Sequence, residues 1–560
     1  MNLAPGDPFD KGNDTESGNR SRGKRLLSRV LVTLALLYAI VVLWVFPKWT
    51  VDDAYITYRY AENLALHGEF VWNLGEDPVE GYSGVLLPVL LASGIVIGVP
   101  PDLTSKIIGV LAFLLGALVL HRTGKLLKFT PYLIGVMLVL YLTLPLSFTH
   151  ALGGLESMVF GSLLLAALYQ LLSVVNDSDN NGGREVTLLM LFLLLVSLAR
   201  PEGTVFAAAT IGVLTVKALI RSRRVPWPLV VRIARWYVFP VAVYFFWRWW
   251  YYDSLLPNTY YAKLAFSADA QTITSHLSDF WHKYLALPTA AGALYILGEI
   301  TSLRTAVRPA LSGAGTGLAA ITAIVLFLAV VLYQYSQTAA MMDFSFRFFV
   351  PFYPFLLIVI GVAANWFARV RVIGTKRLRT ASVALIVLAL IAIASQTARH
   401  VKYLFSEAHT AARYLSLIRD EHVRVGLLLK ERVPASEWVV VDHDAGAIPY
   451  YSRLKTLDFG ALNDRVLARR DLSLQQEIEH FYAHNPGALV FTSRVPDSVV
   501  HGEQAAAIIS DSRFKQYRMV AGFGSSAMEK YYELVFLRND LLHHELKEGE
   551  LQPAGQSPEP

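Results

Sequence analysis

Apolar stretches close to the length of a membrane-spanning helix recur along the first 400 residues of this chain of 560. Short polar segments separate them, and the first apolar stretch covers residues 30–46. Because about 20 apolar residues cross a bilayer as a helix, the pattern predicts a multi-span α-helical membrane protein. Further along, shorter apolar segments alternate with polar ones, which predicts a soluble domain.

Basic residues in the short loops predict how the chain is oriented in the membrane. Five Lys and Arg residues from Arg20 to Arg29 precede the first apolar stretch, and the positive-inside rule places them in the cytoplasm. The stretch 83–98 is short and ends at two prolines, so we predict a re-entrant or interfacial helix there. The later basic loops then all face the cytoplasm; they are 122–128, 221–235, 304–308 and 369–379.

The pattern of apolar segments and basic loops predicts a multi-span α-helical membrane module of about eleven spans plus the re-entrant or interfacial helix, followed by a C-terminal exterior α/β domain. The predicted spans are 30–46, 106–122, 131–149, 153–174, 187–199, 204–220, 235–250, 284–298, 315–336, 348–367 and 380–397. The predicted divisions are a disordered cytoplasmic tail (1–29), a transmembrane module (30–397) with a first exterior loop (47–82), an exterior soluble α/β domain (398–545) and a disordered tail (546–560).

The hydropathy pattern predicts a few elements of the C-terminal domain. Helical periodicity covers Ala411–Arg432, and apolar strands are expected at Trp438–Asp442 and Ala488–Thr492. Three aspartates, Asp442, Asp444 and Asp458, lie at strand ends. They could bind a glycan or a metal ion, and the alternative is a capping or turn role.

Composition excludes several classes of function. Hydrophobic residues make up 54% of the chain and charged residues 17%, and the mean hydropathy is +0.42. The net charge of +6 comes from the loops that orient the chain, so it requires no nucleic-acid partner. The absence of cysteine excludes disulfides and thiolate metal sites. The chain has no phosphate loop of the GxxxxGK(S/T) type, no GxSxG motif and no HExxH motif.

Polar residues that share the predicted exterior side form a candidate site. Asp52 and Asp53 directly follow the first span, where carboxylates reach both water and lipid headgroups; the alternative is an aspartate that caps a helix. Charges at a membrane edge are costly and tend to be functional, although a single one, Lys263 above all, also fits a snorkelling anchor. The other candidates on this side are Arg59, Glu80, Glu156, Arg200, Glu202, Asn258, Lys263 and Arg347.

Two of these candidates are arginines in separate parts of the chain. Arg200 and Glu202 interrupt an apolar run, and buried opposite charges need a partner or a ligand. Because Glu202 is only two residues from Arg200, we expect poor geometry for bidentate pairing. Arg200 and Arg347 therefore have no evident local carboxylate partner in the sequence, and they are candidates for holding one anion.

Several blocks of the sequence resemble one superfamily of membrane enzymes. Residues 52–56, 58–61 and 79–83 resemble the first exterior loop of GT-C glycosyltransferases. Further blocks resemble a bacterial branch that includes the terminal arabinofuranosyltransferases of actinobacterial cell walls; they are 154–156, 199–203, 256–263, 347–351, 444–451 and 457–458.

This resemblance implies a membrane glycosyltransferase of the plasma membrane whose active site and C-terminal domain face the periplasm or exterior. It implies a polyprenyl-phosphate-linked sugar as donor and an exterior cell-envelope glycan, lipid or protein as acceptor. One of Asp52 and Asp53 would be the general base of an inverting transfer, and Arg59, Arg200, Lys263 and Arg347 would stabilise the leaving phosphate. The paired carboxylates and the phosphate oxygens could share a divalent metal ion, but no metal is expected because the sequence shows no wider cluster of ligands. The alternatives are a transporter or flippase for a lipid-linked glycan and a scaffold that binds cell-wall polymer.

Overall fold

Helices dominate the chain as far as Arg432 in the computed structural model, which describes residues 11–176, 183–264, 270–301, 344–368, 376–469, 472–500, 502–525 and 530–542. These helices are α1 (Lys11–Val45), α2 (Asp52–His67), α3 (Leu86–Val96), α4 (Pro101–Leu126), α5 (Pro131–Leu142), α6 (Pro145–Leu152), α7 (Ser157–Asn176), α8 (Gly183–Ala199), α9 (Glu202–Ser222), α10 (Trp227–Ile233), α11 (Phe239–Tyr252), α12 (Asn258–Leu264), α13 (Ala270–Phe280), α14 (Ala286–Thr301), α15 (Tyr353–Ala368), α16 (Lys376–Leu417) and α17 (Arg424–Arg432). Short π-helical segments join α10 to α11, α13 to α14 and α16 to α17.

The membrane module contains six described helices that are long and apolar enough to cross a bilayer. A seventh span results if α5 and α6, which meet at a bend of 52°, count as one. Three further predicted spans, 187–199, 284–298 and 380–397, lie on α8, α14 and α16. The predicted span 315–336 and the basic loop 304–308 lie outside the described residues, so the count of about eleven spans stays a prediction.

Two short segments near the first spans have different outcomes. Helix α3 has 11 residues, or about 16 Å at 1.5 Å per residue, which is too short to span and agrees with the predicted re-entrant or interfacial helix. Residues 11–29, predicted to be a disordered tail, are instead helical in α1. Extending an existing helix adds one hydrogen bond per residue without a new nucleation step, so the apolar span extends into this polar segment. The tail 546–560 lies outside the described residues.

A five-stranded sheet with the order β2-β1-β3-β5-β4 forms the centre of the C-terminal domain. Strand β1 is parallel to β2 and β3, whereas β5 is antiparallel to β3 and β4. The elements are β1 (Trp438–Val441), α18 (Ala447–Ser452), β2 (Lys455–Asp458), α19 (Arg465–Arg469), α20 (Leu474–Ala483), β3 (Ala488–Ser493), α21 (Glu503–Ser510), β4 (Tyr517–Gly524) and β5 (Tyr532–Arg538).

The central strands are buried on both faces, which explains their unbroken apolar sequences. Val439 and Val441 pack on the side of α17, in a cluster with Leu429. Val440 points to the opposite face, in a cluster with Phe481 of α20. Successive strand residues alternate between faces, so helices on both sides of the sheet require apolar residues at every position of β1 and β3. The mixed α/β character predicted for this domain is confirmed.

Helix α16 joins the two parts of the molecule. It has 42 residues and continues through the π-helical segment Ile418–Val423 into α17. Its later turns pack against α6 and the chain that precedes α2, and the turn after it packs against α18. One end of the membrane module and the sheet domain therefore meet around helix α2, where the two candidate aspartates lie.

Candidate functional site

Asp52 and Asp53 form the first turn of α2, and their carboxylates have different surroundings. Acidic residues in a first turn interact favourably with the helix dipole. Adjacent residues on a helix point about 100° apart, and here the side chain of Asp52 is 10% exposed whereas that of Asp53 is 49% exposed. Asp53 faces a cavity, and Asp52 faces the C-terminal domain.

The segment before α2 is fixed by contacts to the membrane helices. The backbone N–H of Val51 donates to the carbonyl of Gly153 at 3.1 Å, and the indole of Trp49 donates to the carbonyl of Thr149 at 3.2 Å. Gly154 has a φ of +86°, and a Cβ there would come within 2.5 Å of the hydroxyl of Tyr58. Glycine is therefore required at this close approach, which accounts for its place in the block 154–156.

A cavity of about 430 Å³ lies beside α2. Five charged side chains line it: Asp53, Glu156, Arg200, Arg347 and Glu407. Four of them were candidates from the sequence, and the structure brings them together from α2, the turn before α7, the turn before α9 and the segment before α15. The remaining lining residues are Trp49, Val51, Ile56, Thr57, Gly81, Tyr82, Ser83, Gly84, Leu87, Thr149, Leu155, Thr259, Phe344, Ser345, Phe348, Thr410, Ala411, Tyr414 and Leu462.

Arg347 pairs with Asp53 across this cavity. Its Nη1 lies 3.1 Å from Oδ2 of Asp53, and its guanidinium lies over the rings of Phe344 and Phe348 at 5.1 and 5.0 Å. The Nε of Arg347 is buried and has no hydrogen-bond partner among the residues that the structure describes. A buried donor without an acceptor is costly, so an acceptor that reached this N–H would be bound favourably.

Arg200 has two carboxylate partners, which corrects the expectation from the sequence. Its Nη1 donates to Glu156 at 2.9 Å, and its Nε and Nη2 donate to the two oxygens of Glu202 at 3.3 and 3.1 Å. The pairing with Glu202 is therefore bidentate. A tight turn separates Arg200 from the start of α9, so the two side chains lie parallel despite their spacing of two residues. The expectation of poor pairing with a local carboxylate was therefore wrong for Arg200, whereas the partner of Arg347, Asp53, lies 294 residues away in the sequence.

Glu407 is a cavity residue that the sequence analysis missed. Its Oε2 accepts hydrogen bonds from Ser345 at 2.9 Å and Thr149 at 3.1 Å, and burial raises the pKa of this carboxyl. The residue lies on α16 beyond the predicted span 380–397. The sequence feature that could have indicated Glu407 is the presence of an acidic residue ten positions after the last predicted span.

Asp52 binds to the C-terminal domain. Its Oδ1 accepts hydrogen bonds from Nδ1 of His422 at 3.0 Å and from the backbone N–H of Ala447 at 2.9 Å. A Cβ on Gly446 would come within 2.3 Å of Oδ2 of Asp52, so only glycine allows this approach. Burial by itself lowers the pKa of His422, but the carboxylates of Asp444 and Asp52 raise it to about 9.

Three sequence candidates lie away from the cavity, and two of them, Arg59 and Asn258, join the membrane module to the C-terminal domain. Arg59 donates to the carbonyls of Trp72, Pro449 and Leu454 and to the side chain of Asn73. Asn258 donates through Nδ2 to three carbonyls at 461, 462 and 464, each at 3.0 Å. Glu80 is paired with Arg248 in the protein interior, and burial raises the pKa of Glu80 to about 7.

None of these three residues is among the cavity-lining residues of the described chain. Arg59 was expected near the donor phosphate, and the structure instead places its guanidinium against backbone acceptors, which leaves no donor directed at the cavity. Lys263 lies near the end of α12, and its side chain lies outside the described residues.

The three strand-end aspartates also have separate roles. Asp458 accepts hydrogen bonds from the backbone and side-chain amides of Asn463, both at 2.9 Å, and so stabilises a turn. Asp442 pairs with His443. Asp444 instead lies beside His422 and Asp52, and ligand atoms of these three residues lie within 4.8 Å of one another.

Comparisons with known proteins give one family match and several structural matches. Residues 412–537 match a family model described as a domain of unknown function, DUF8728. No curated protein sequence matches the chain.

Among solved structures, ArnT from Cupriavidus metallidurans in the apo state has 13% identity and a TM-score of 0.55, over 91% of this chain and 98% of that chain. The same protein bound to undecaprenyl phosphate has 12% identity and a TM-score of 0.54, over 90% and 97% of the two chains. Arabinofuranosyltransferase AftD from Mycobacteria has a TM-score of 0.45, with 15% identity, over 92% of this chain and 41% of that chain. The two similarities to ArnT, at 12% and 13% identity, are similarities of fold. The chain thus shares its fold with ArnT over nearly the whole length of both chains, and its described long apolar helices are those of a multi-span membrane protein.

Proposed function

We propose that the protein is an inverting membrane glycosyltransferase that transfers a sugar from a polyprenyl-phosphate donor to an acceptor in the cell envelope. The observation that supports this most is the pairing of Asp53 with Arg347 on the wall of one cavity. A base and a phosphate-binding cation are the two groups that such a transfer requires. The similarity of the fold to a protein solved with undecaprenyl phosphate supports this class of donor.

In the proposed reaction, Asp53 is the general base. Its carboxylate accepts the proton of an acceptor hydroxyl while the hydroxyl oxygen attacks the anomeric carbon of the sugar. The bond from that carbon to the phosphate oxygen breaks on the opposite face, and the lipid phosphate leaves with the bonding electrons. A single displacement of this kind inverts the anomeric configuration. Asp53 fits this role better than Asp52 because its carboxylate lines the cavity.

Arg347 is proposed to bind the donor phosphate. Its guanidinium is planar and retains a buried Nε with no partner among the described residues, and arginine binds phosphate with paired N–H donors of such a group. Arg200 lines the same cavity but is held by Glu156 and Glu202. Its expected contribution is a fixed positive charge near the leaving group rather than a free pair of donors. Glu407 and the hydroxyls around it are available for hydroxyl groups of a sugar.

The proposal is tested with purified protein in lipid nanodiscs and a panel of polyprenyl-phosphate sugars. Release of polyprenyl phosphate is measured with and without candidate acceptors. We expect release with at least one donor, and its loss in Asp53→Asn. The matched control is Asp77→Asn, which removes an exposed carboxylate from the same exterior loop and should transfer sugar at the wild-type rate.

Two outcomes would contradict the proposal. Equal release by wild type and Asp53→Asn would exclude this base. Movement of a labelled lipid-linked sugar across liposome membranes, without release of lipid phosphate from any donor, would favour the transporter alternative.

A further inference from the structure

A buried polar cluster lies between helix α2 and the C-terminal domain, on the side of Asp52 away from the cavity. It consists of Asp52, His422 and Asp444, whose ligand atoms all lie within 4.8 Å of one another. Asp52 is 7% exposed and His422 is 1% exposed. Carboxylates are rarely buried unless they are paired or bind a metal ion.

A fourth residue adds an unsatisfied acceptor to this cluster. Glu533, on β5, is fully buried, and its carboxyl group shares a hydrogen bond with Asp444. Its Oε2 has no hydrogen-bond partner among the described residues. Within the described part of the chain, no Arg or Lys forms an ion pair with Asp52, Asp444 or Glu533. One imidazole therefore faces three carboxyl groups, and Nε2 of this imidazole is also buried without a hydrogen-bond partner in the described part of the chain.

We propose that Asp52, His422 and Asp444 bind one divalent metal ion, with Glu533 as a further oxygen ligand or as a hydrogen-bond partner of Asp444. Three carboxyl groups and one imidazole suit a cation that accepts both oxygen and nitrogen ligands, such as Mn²⁺ or Zn²⁺. The cation would place its charge among these carboxyl groups, and it would bind the neutral form of the His422 imidazole. The sequence alone shows no such ligand cluster, because its members lie far apart in the chain. Asp52 and His422 are separated by 370 residues.

The proposed ion has a positioning role rather than a place in the reaction. Its ligands come from the first exterior loop, from the turn after α16 and from the segment after β1, so the ion joins the catalytic loop to the C-terminal domain. Asp53 is the next residue to Asp52, but its carboxylate faces the cavity and is not part of the cluster. Metal binding at Asp52 would therefore hold α2 in the orientation that directs Asp53 at the cavity.

The test measures metal binding directly and does not depend on transferase activity. The full-length protein in nanodiscs is treated with EDTA and dialysed, then titrated with Mn²⁺ while free Mn²⁺ is followed by electron paramagnetic resonance. We expect one Mn²⁺ per chain and competition by Zn²⁺. Asp444→Asn and His422→Gln should each weaken binding by roughly tenfold or more, since loss of outer-shell partners alone costs 10–100-fold.

The matched control is Asp458→Asn, which removes a buried carboxylate from the end of the neighbouring strand and leaves the cluster intact. It should bind Mn²⁺ with wild-type affinity. Circular dichroism of each variant in EDTA identifies any that fails to fold, and Asp52→Asn replaces such a variant. Absence of stoichiometric binding of both Mn²⁺ and Zn²⁺ to the wild-type protein would overturn the proposal, as would wild-type affinity in all the cluster variants that fold.

Discussion

Neighbouring residues on one helical turn contact different parts of the molecule at the site. The carboxylate of Asp52 is directed at His422 and Ala447 in the C-terminal domain, and that of Asp53 is directed at Arg347 in the cavity. The sequence shows two equivalent aspartates. Their difference arises from the angle between successive residues on α2 and from the turn at Gly446 that packs against only one of them.

The first prediction separates these two aspartates by kinetics. Asp53→Asn is nearly isosteric and removes the proton acceptor, so we expect kcat to fall by about 10²–10⁴-fold. Asp52→Asn should lower kcat by less, because its carboxylate does not line the cavity. The measurement is kcat and KM with one defined donor. A larger loss in Asp52→Asn than in Asp53→Asn would move the base to Asp52.

The second prediction concerns Arg347. Arg347→Lys keeps the positive charge but loses the planar pair of donors, and a hydrogen bond to a charged group contributes about 1.5–3 kcal/mol. We expect the kcat/KM for the lipid-phosphate donor to fall by roughly ten- to a hundredfold. Arg419→Lys, at an exposed arginine beyond α16, is the control and should have no effect. An unchanged kcat/KM in Arg347→Lys would move the phosphate site to Arg200 or Lys263.

The third prediction is a pH dependence of stability. Burial raises the pKa of Asp458 from 3.8 to about 6, so the folded protein retains a proton that the unfolded chain releases. Stability should therefore fall as pH rises from about 4 to about 6, by up to about 3 kcal/mol, and then level off.

The Asp458 effect is measured as the apparent Tm of the protein between pH 4 and pH 7. Asp458→Asn removes the titrating group and should flatten this part of the profile. The exposed Asp497→Asn should keep the wild-type slope. Identical slopes in wild type and Asp458→Asn would show that other groups determine the profile.

At the scale of elements, Arg59 of helix α2 donates hydrogen bonds to helix α18 and to Leu454, the residue before strand β2. Its guanidinium donates to acceptors in both parts of the molecule and lies 4.4 Å from the ring centroid of Trp72. The single ammonium group of a lysine cannot reach acceptors in these different directions.

The fourth prediction follows from this arrangement. Arg59→Lys should destabilise the attachment of the C-terminal domain by on the order of 3 kcal/mol, since two or more charged hydrogen bonds are lost. The measurement is the apparent Tm together with limited proteolysis between α17 and β1. Arg419→Lys is again the control. Wild-type protease resistance in Arg59→Lys would show that the other contacts suffice.

Elements with a strong hydropathy signal were predictable from the sequence. All the predicted spans within the described residues coincide with helices, and β1 and β3 lie within one residue of the predicted strands. Strands β4 and β5 were not predicted, although the alternation of buried and exposed residues in β4 is typical of a half-buried strand. The stretch Ala447–Ser452 is a helix, which its apolar and aromatic composition did not reveal.

The site was predictable only in part, because side-chain direction depends on tertiary contacts. The prediction that the candidates share one side of the membrane included Asp53, Glu156, Arg200 and Arg347, which line one cavity in the structure. It also included Arg59 and Asn258, which bind backbone carbonyls of a domain that is distant in the sequence. His422 and Glu407 were missed because their partners lie 370 and 258 residues away, and no local motif marks such pairs.

At the scale of the whole molecule, the basic loops predict the orientation in the membrane. The fifth prediction is that the C-terminal domain is exterior and the loop between α9 and α10 is cytoplasmic. The chain has no cysteine, so single cysteines report their own accessibility. Glu431→Cys should react with a membrane-impermeant maleimide in spheroplasts, whereas Val225→Cys, also at an exposed position, should react only after permeabilisation. The reverse pattern would overturn the orientation.

Helix α16 has a mechanical consequence for this architecture. Glu407 and Tyr414 on its last turns line the cavity, and His422 follows in the same continuous helical run, about 20 Å beyond Glu407 at 1.5 Å per residue. The C-terminal domain thus follows directly after a helix whose side forms part of the cavity wall. Because the helix is continuous, we expect that a substrate that displaces this wall also shifts His422, and with it the hydrogen-bonded Asp52. Occupation of the cavity and the position of the loop that contains Asp52 and Asp53 are therefore expected to be coupled.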